Sequence, residues 1–246
     1  ISVRRFNRLL LNNASLERER ANLSRYFSPN VVEELSQNDE PLKQVRSQNI
    51  AVLFVDIVGF TRFSAGRDPR DVIEVLRGFL ARMETEVFRH GGTLDKYLGD
   101  GLMATFGTPT AGERDASDAL SCALAMARVI ERWNTDRRRA GEPPIEVGIG
   151  LHYGPVVLGD IGANRLEFAV IGDAVNVASR LEALTREHDV CLIISDTLRE
   201  RVMAEGPTQD MLSGFTRCDD QEIRGVDERM TIWCAGQRGE GSRPLL

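Results

Sequence analysis

Apolar residues near the amino end of the chain follow a seven-residue repeat, with Leu9, Leu16 and Leu23 at equivalent positions and a polar Asn13 on the adjoining seam. This spacing predicts a helix over residues 4–27. Leucine at one seam position and asparagine at the other are typical of a short parallel two-stranded coiled coil, in which the asparagine fixes the register. An amphipathic helix that packs on its own domain would give the same pattern.

The polar stretch 37–48 follows this segment and is predicted to be a linker. We therefore predict three regions: a helical signalling segment with its linker at 1–48, a globular domain at 49–236 and a loose tail at 237–246. The chain begins with Ile1 rather than methionine, so we expect it to be part of a longer protein.

The globular domain opens with the continuous apolar run Ile50–Val55, which is typical of a strand buried on both faces. Helical and alternating apolar spacings then predict, in order, a helix opened by Asp68-Pro69, hairpin strands at 93–98 and 102–106, a helix around 116–130, strands at 145–152, 156–161 and 166–171, a helix at 173–184, a strand at 191–195, and a terminal strand pair near 215–223 and 229–235. His152, at the end of one predicted strand, is expected to be structural.

The first six of these elements have the order of a ferredoxin-like βαββαβ core, so the predicted fold class is α+β with extra carboxyl-terminal strands. A right-handed crossover makes the first and second strands parallel, and both then finish at the same end of the sheet. Asp56 follows the first strand, and Asp100 lies in the hairpin turn after the second. The topology therefore predicts that these two aspartates lie close together.

The composition is that of an ordinary globular protein, with 42% hydrophobic and 28% charged residues. A net charge of −6 argues against non-specific binding to nucleic acid, which depends on a basic surface. No apolar run approaches the roughly 20 residues of a membrane span. The four cysteines form no CxxC pair and no zinc-ligand spacing. We therefore expect a reducing, cytoplasmic setting. The cytoplasmic domain of a membrane-anchored protein would fit this expectation as well.

Asp56 and Asp100 are candidate metal ligands because two carboxylates at the tips of neighbouring buried strands repel each other unless a cation lies between them. Magnesium binds carboxylate and phosphate oxygens. A pair of such ions can activate an attacking hydroxyl and stabilise a leaving oxygen. Either aspartate alone would be a structural residue, one ending a strand and the other forming a turn. Their predicted convergence favours a metal site.

Three sequence motifs follow one another along the domain: Asp56–Thr61 (DIVGFT), Lys96–Gly101 (KYLGDG) and Gly172–Arg180 (GDAVNVASR). The P-loop pattern GxxxxGK[ST] is absent from the chain. Together the three motifs resemble the signatures of class III adenylate and guanylate cyclase catalytic domains, over roughly residues 49–235. The resemblance implies the cyclase fold and the formation of a cyclic nucleotide from a nucleoside triphosphate.

The resemblance implies that Asp56 and Asp100 hold two divalent ions per active site, either Mg²⁺ or Mn²⁺, with the backbone carbonyl of Ile57 as a further ligand. The resemblance also implies that a loop cradles the β- and γ-phosphates, formed by Gly59, Phe60 and Thr61. The ribose 3′ hydroxyl would then attack the α-phosphorus in line as pyrophosphate leaves, a reaction that depends on positioning and on neutralisation of charge.

The resemblance also implies nucleotide contacts. Asn176 would orient the ribose, and Arg180, on the same helix face, would neutralise charge that grows on the α-phosphate. Arg224 stands where the family usually has a lysine that contacts the triphosphate. Lys96 is typical of adenylate cyclases and would donate to adenine N1, whereas guanylate cyclases usually carry a glutamate there. Ala169, at the second base-specificity position, has no side-chain acceptor, so we expect weaker rejection of GTP.

In the family, one chain supplies the metal aspartates and its partner supplies the nucleotide contacts. Because this chain contains both sets, the resemblance implies a head-to-tail homodimer with two ATP sites. We therefore predict an adenylate cyclase that forms 3′,5′-cyclic AMP, with the amino-terminal helix relaying a signal from an upstream sensor or membrane domain. Two alternatives stay open: a guanylate or mixed-specificity cyclase, and a catalytically silent cyclase-like module that dimerises.

Overall fold

A mixed sheet with helices on both faces runs through residues 45–161, 167–206, 209–223 and 229–237, which the computed structural model describes. The strands are β1 (Arg46–Ile57), β2 (Thr93–Leu98), β3 (Gly101–Phe106), β4 (Val147–Ile161), β5 (Glu167–Ile171), β6 (Val190–Ser195), β7 (Thr216–Gln221) and β8 (Met230–Gln237). The helices are α1 (Phe60–Ser64), α2 (Pro69–Arg89), α3 (Asp115–Arg139), α4 (Asp173–Glu187), α5 (Asp196–Glu205) and α6 (Gln209–Leu212). Within these ranges, no helix combines the length and the apolar character that crossing a membrane requires.

The order of the strands confirms the predicted α+β core. The sheet runs β2-β3-β1-β4-β6-β8-β7, and β5 pairs with β4. Both β1 and β2 are antiparallel to β3, so they are parallel to each other, as the crossover argument predicted. Apart from the short α1, the elements β1, α2, β2, β3, α3 and β4 follow in βαββαβ order. The predicted coiled coil at 4–27 lies outside the described residues, and the division into three regions stays a prediction.

The inner strand β1 packs against a hydrophobic core on each face, and this determines which face Asp56 lies on. Leu53 and Val55 belong to the core that includes α2 and α3. Ile50 and Val52 belong to a second core that includes residues of α4. Successive side chains of a strand alternate between its faces, so Asp56 lies on the same face as Ile50 and Val52, the face that α4 covers.

β1 begins earlier than the hydrophobic pattern predicted. It starts at Arg46, so the predicted linker at 37–48 is wrong for its last three residues. The guanidinium of Arg46 donates a hydrogen bond to the carbonyl of Pro109, and the side-chain amide of Gln48 donates to the carbonyl of Gly107. The polar side chains of Arg46 and Gln48, which suggested a linker, thus bind backbone carbonyls. The backbone of the same residues pairs with β4.

β4 is one continuous strand, whereas we predicted two strands at 145–152 and 156–161 with a break near Pro155. Its pairing with β1 is unbroken through this region. On the other side, β4 pairs with β6 up to Leu151 and with β5 from Val157 onwards. Pro155 lies between these two pairings, a position that suits a residue without an N–H group.

The helices α5 and α6 were missed by the sequence analysis, which predicted no element between β6 and the terminal strand pair. Only Leu198 and Val202 of α5 are buried, which leaves a weak apolar pattern. The helix nevertheless has a structural role at its end. The Glu205 carboxylate accepts hydrogen bonds from the backbone N–H groups of Ala116 and Ser117, at 3.2 and 2.7 Å, and so caps the start of α3.

His152 lies inside β4, not at a strand end as predicted, and is 9% exposed. Its Nδ1 lies 3.3 Å from the hydroxyl of Thr197. Burial lowers the pKa of His152 from 6.5 to about 4, because the charged imidazolium loses its hydration. The neutral ring is therefore part of the folded state.

We expect the pH dependence of stability to reveal this burial. Between the pKa of about 4 in the folded protein and 6.5 in the unfolded chain, protonation favours the unfolded state. The contribution of His152 to stability should therefore fall as the pH falls through this window, by about 3 kcal/mol in total. Urea unfolding of His152→Gln at a series of pH values should show a flatter dependence than that of the wild-type chain. Equal slopes for the wild type and His152→Gln would contradict the assignment.

Candidate active site

Asp56 occupies the end of β1 between two glycines. In the strand register it opposes Gly101 of β3 on one side and Gly148 of β4 on the other. A Cβ atom at Gly101 would lie 2.5 Å from the carbonyl oxygen of Val55 and 3.2 Å from the Cα of Asp56. Only glycine therefore lets β3 approach Asp56 this closely.

Asp100 lies in the two-residue turn between β2 and β3, directly beside the end of β1. Gly99 in this turn has a left-handed backbone with φ of 70°, as the tight hairpin requires. The carbonyl oxygen of Asp100 accepts a hydrogen bond from the N–H of Ile57 at 3.3 Å. The structure thus brings together the two aspartates that the topology predicted to meet.

The electrostatics of Asp56 favour a cation at this position. Its pKa is raised above 3.8, first by burial and then by the negative charge of Asp100, while the guanidinium of Arg186 opposes the rise. The Oδ1 atom of Asp56 is buried and accepts no hydrogen bond from a described residue. Such an oxygen costs free energy unless a positive charge reaches it. Carboxylate and carbonyl oxygens are hard ligands, so the donors around Asp56 and Asp100 fit a divalent ion such as Mg²⁺ or Mn²⁺.

Arg186, near the end of α4, is a site residue that the sequence analysis missed. Its guanidinium lies 3.1 Å from Oδ2 of Asp56 and 2.9 Å from Oε1 of Glu182. The spacing of Glu182 and Arg186 by four residues was the available sequence signal, but such pairs are common on solvated helices. The contact with Asp56 depends on the fold, since the two residues are 130 positions apart.

Glycines in β4 allow α4 to lie this close to the sheet. A Cβ atom at Gly148 would lie 2.4 Å from the hydroxyl of Thr185 and 2.5 Å from Oε1 of Glu182. A Cβ atom at Gly150 would lie 2.2 Å from the backbone nitrogen of Glu182. Larger residues would push α4 outwards and separate Arg186 from Asp56.

The loop after β1 turns sharply at Gly59. This residue has a left-handed backbone with φ of 70°, and a Cβ atom there would meet nothing within 4 Å, so its backbone conformation is what favours glycine. Phe60 and Thr61 open the short helix α1. The Gly59 carbonyl accepts hydrogen bonds from the N–H groups of Arg62 and Phe63, both at 3.0 Å, which fixes the turn beside Asp56.

Asn176 and Arg180 lie in the first half of α4, where Asn176 is exposed and Arg180 half-buried. An α-helix rises about 1.5 Å per residue, so Arg180 lies about 9 Å and Asn176 about 15 Å before Arg186 along the helix axis. Arg186 makes the ion pair with Asp56. Within one chain, α4 therefore separates the predicted nucleotide contacts from the aspartate pair.

The remaining predicted site residues lie on other elements. Lys96 is on β2, with its side chain 45% exposed and its Nζ 3.2 Å from an Asp95 carboxylate oxygen. Ala169 is on β5 opposite Gly159, and is 8% exposed. Arg224 lies outside the described residues.

Comparison with known proteins identifies the family. The sequence-family model for the adenylate and guanylate cyclase catalytic domain matches residues 42–236. The chain belongs to this family. The match covers β1 to β8 almost completely and includes all three motifs on which the resemblance rested.

Curated relatives of this cyclase domain include bacterial adenylate cyclases. The adenylate cyclase of Anabaena cylindrica is 34% identical over 192 residues, which cover 76% of this chain and 36% of that protein. Adenylate cyclase 1 of Rhizobium meliloti (strain 1021) is 36% identical over 149 residues, which cover 60% of this chain and 22% of that protein. The chain thus spans about a third or less of the length of these two relatives.

Solved structures confirm the cyclase fold. The guanylyl cyclase Cya2 is 31% identical with a TM-score of 0.68, and the match covers 80% of this chain and 95% of that chain. The adenylyl cyclase CyaB from P. aeruginosa is 25% identical with a TM-score of 0.68, covering 80% and 97%. Since an adenylyl and a guanylyl cyclase match the fold equally well, the choice of base depends on individual side chains.

Proposed function

We propose that this cyclase domain converts ATP to 3′,5′-cyclic AMP and pyrophosphate, at two sites that each lie between two copies of the chain. Membership of the cyclase family and two relatives named as adenylate cyclases support the chemistry. The observation that carries the proposal is the juxtaposition of Asp56 and Asp100, with a buried oxygen of Asp56 that no described residue satisfies.

Asp56 and Asp100 would hold two divalent ions, Mg²⁺ or Mn²⁺, with the Ile57 carbonyl as a further ligand. Bound there, the ions would supply activation of the ribose 3′ hydroxyl and stabilisation of charge on the phosphate oxygens. The guanidinium of Arg186 lies on Oδ2 of Asp56 and would have to leave that oxygen when a metal uses both carboxylate oxygens.

The other residues would position the nucleotide. The backbone of Gly59, Phe60 and Thr61 would cradle the β- and γ-phosphates, and the open space around Gly59 leaves room for them. Asn176 would orient the ribose, and Arg180 would stabilise the charge that develops on the α-phosphate in the transition state. Arg224 would contact the triphosphate.

A site shared between two copies would explain why Asn176 and Arg180 lie away from the aspartate pair of their own chain. Arg180 and Asn176 lie about 9 and 15 Å along the helix from the residue that contacts Asp56. A head-to-tail homodimer would place these residues of one copy against the aspartate pair of the other, twice, by symmetry.

Lys96 favours adenine, because an ammonium group can donate to N1 of adenine but meets a donor at N1 of guanine. Its exposed position on β2 leaves the side chain accessible to a nucleotide. Ala169 favours a less strict selection, since a buried alanine offers no acceptor for the amino group of adenine. A mixed-specificity cyclase that prefers ATP is therefore the second candidate function.

Mixing two inactive variants tests the shared site. We expect Asp56→Ala and Arg180→Ala to be inactive alone, and an equimolar mixture to recover up to about a quarter of wild-type turnover, because half of the dimers then carry one intact site. Turnover of ATP with Mg²⁺ or Mn²⁺ is the measurement. The matched control mixes Asp56→Ala with Asp100→Ala, which damages the same half of the site in both chains and should recover nothing. Absence of recovery in the first mixture, despite heterodimers detected by native mass spectrometry, would contradict the shared site.

Exchanging Lys96 for glutamate tests base selection. We expect Lys96→Glu to lower kcat/KM for ATP by about 10- to 100-fold, since a donor to the base is replaced by a group that repels the acceptor. The measurement is kcat/KM for ATP and for GTP side by side. Lys96→Gln, which keeps an N–H donor, should retain more ATP activity than Lys96→Glu. Unchanged ATP kinetics in Lys96→Glu would refute the assigned role.

Metal affinity tests the position of Arg186. We expect Arg186→Met to bind Mn²⁺ about fivefold more tightly, because removal of a competing cation is worth ~1 kcal/mol for a partly exposed ion pair. Titration of Mn²⁺ followed by electron paramagnetic resonance measures this without turnover. Arg139→Met removes an exposed guanidinium at the end of α3 and should leave the affinity unchanged. Equal or weaker binding by Arg186→Met would show that Arg186 does not compete with the metal.

A further inference from the structure

A second cluster of metal-ligating side chains lies where the carboxyl-terminal end of α4 meets β7 and β8. Cys218 is on β7 and Cys234 is on β8, and the register pairs Thr216 with Cys234 and Cys218 with Ile232. The two cysteines are therefore diagonal neighbours on one face of the hairpin. Their sulfur atoms lie 3.6 Å apart.

His188 completes the cluster from the helix side. It follows the last residue of α4 as its C-cap. A ring nitrogen of His188 and the sulfurs of Cys218 and Cys234 all lie within 4.8 Å of one another. The Nε2 atom lies 3.1 Å from Oε1 of Gln221, which orients the ring. A neutral ring that donates Nε2–H to this oxygen presents the lone pair of Nδ1, and such outer contacts are typical of histidine ligands.

The spacing of these atoms suits a tetrahedral metal ion. Metal–sulfur bonds of about 2.3 Å at tetrahedral angles put two sulfurs about 3.8 Å apart. The observed distance between the sulfurs of Cys218 and Cys234 is 3.6 Å. A disulfide bond would need about 2.05 Å between them, and both cysteines are free in this structure.

The surroundings favour a soft or borderline ion. Cys234 is buried, and the cluster lies among apolar residues of α4, β6 and β8 that include Leu181, Ile193 and Ile232. Sulfur and imidazole ligands select zinc-like ions over magnesium.

We propose that His188, Cys218 and Cys234 form a binding site for a zinc-class transition metal ion, with a water molecule as the fourth ligand. Binding releases the two thiol protons to solvent as the two thiolate–metal bonds form. The bound ion would tie the end of α4 to the β7–β8 hairpin. This site is separate from the oxygen ligands of Asp56 and Asp100, and the inference does not depend on the proposed reaction.

Titration with Co²⁺ tests the proposal, because a thiolate–cobalt charge-transfer band reports only ions bound to sulfur. The reduced full chain is titrated in excess Mg²⁺, which fills sites made of oxygen ligands. We expect about one Co²⁺ per chain with thiolate and tetrahedral bands, complete displacement by Zn²⁺, and a higher thermal unfolding midpoint with Zn²⁺ than without metal.

Variants of the cluster sharpen the test. Cys218→Ser and His188→Gln should each weaken Zn²⁺ binding by at least about a hundredfold, the upper end of the cost of losing even an outer-shell partner. Cys191→Ser, which removes a thiol on β6 outside the cluster, should bind like the wild type. Thermal unfolding without metal shows whether each variant folds.

The proposal fails if the reduced wild-type chain, with its thiols intact by titration, gives no thiolate–cobalt band. It also fails if Cys191→Ser loses the band or if folded Cys218→Ser and His188→Gln keep full affinity. Formation of a Cys218–Cys234 disulfide without metal uptake under the same conditions would identify a redox pair and overturn the metal site.

Discussion

Electrostatic repulsion between Asp56 and Asp100 is the interaction on which the rest of this site depends. Strand pairing keeps the two residues together despite this repulsion. The register of β1 with β3 and the hydrogen bond from Ile57 to the Asp100 carbonyl hold the backbones of the two aspartates next to each other. The buried Oδ1 of Asp56 adds an unsatisfied acceptor. Two neighbouring carboxylates and an unsatisfied oxygen at the end of β1 together favour the binding of a cation.

Small residues determine what can reach that cation site. Gly101 admits the hairpin from one side, while Gly148 and Gly150 admit α4 from above. The close helix brings Arg186 to Asp56, so one guanidinium balances part of the charge in the absence of other cations. Because these glycines have no Cβ atom, the hairpin and α4 can come close enough to Asp56 to form the site.

The parts that sequence reasoning predicted are those decided by local pattern. Apolar periodicity, Asp68-Pro69 and the Gly99 turn predicted the βαββαβ order and the meeting of Asp56 with Asp100, and the structure bears this out. The misses depend on contacts between distant residues. β4 continues through Pro155, where its pairing partner changes from β6 to β5. The helix α5 buries only Leu198 and Val202, and its Glu205 caps the start of α3. The contact of Arg186 with Asp56 joins residues far apart in the sequence, and so does the cluster of His188 with two cysteines. No local residue spacing predicts either contact.

The helix α4 links features that are otherwise independent. It carries Asn176 and Arg180 near its beginning, Arg186 near its end and His188 at its C-cap. With sites shared between two copies, its early residues would serve one active site and its late residues the other. Gly148 and Gly150 leave α4 in direct contact with β4. In the proposed dimer, a displacement of α4 along the sheet would therefore change both active sites together.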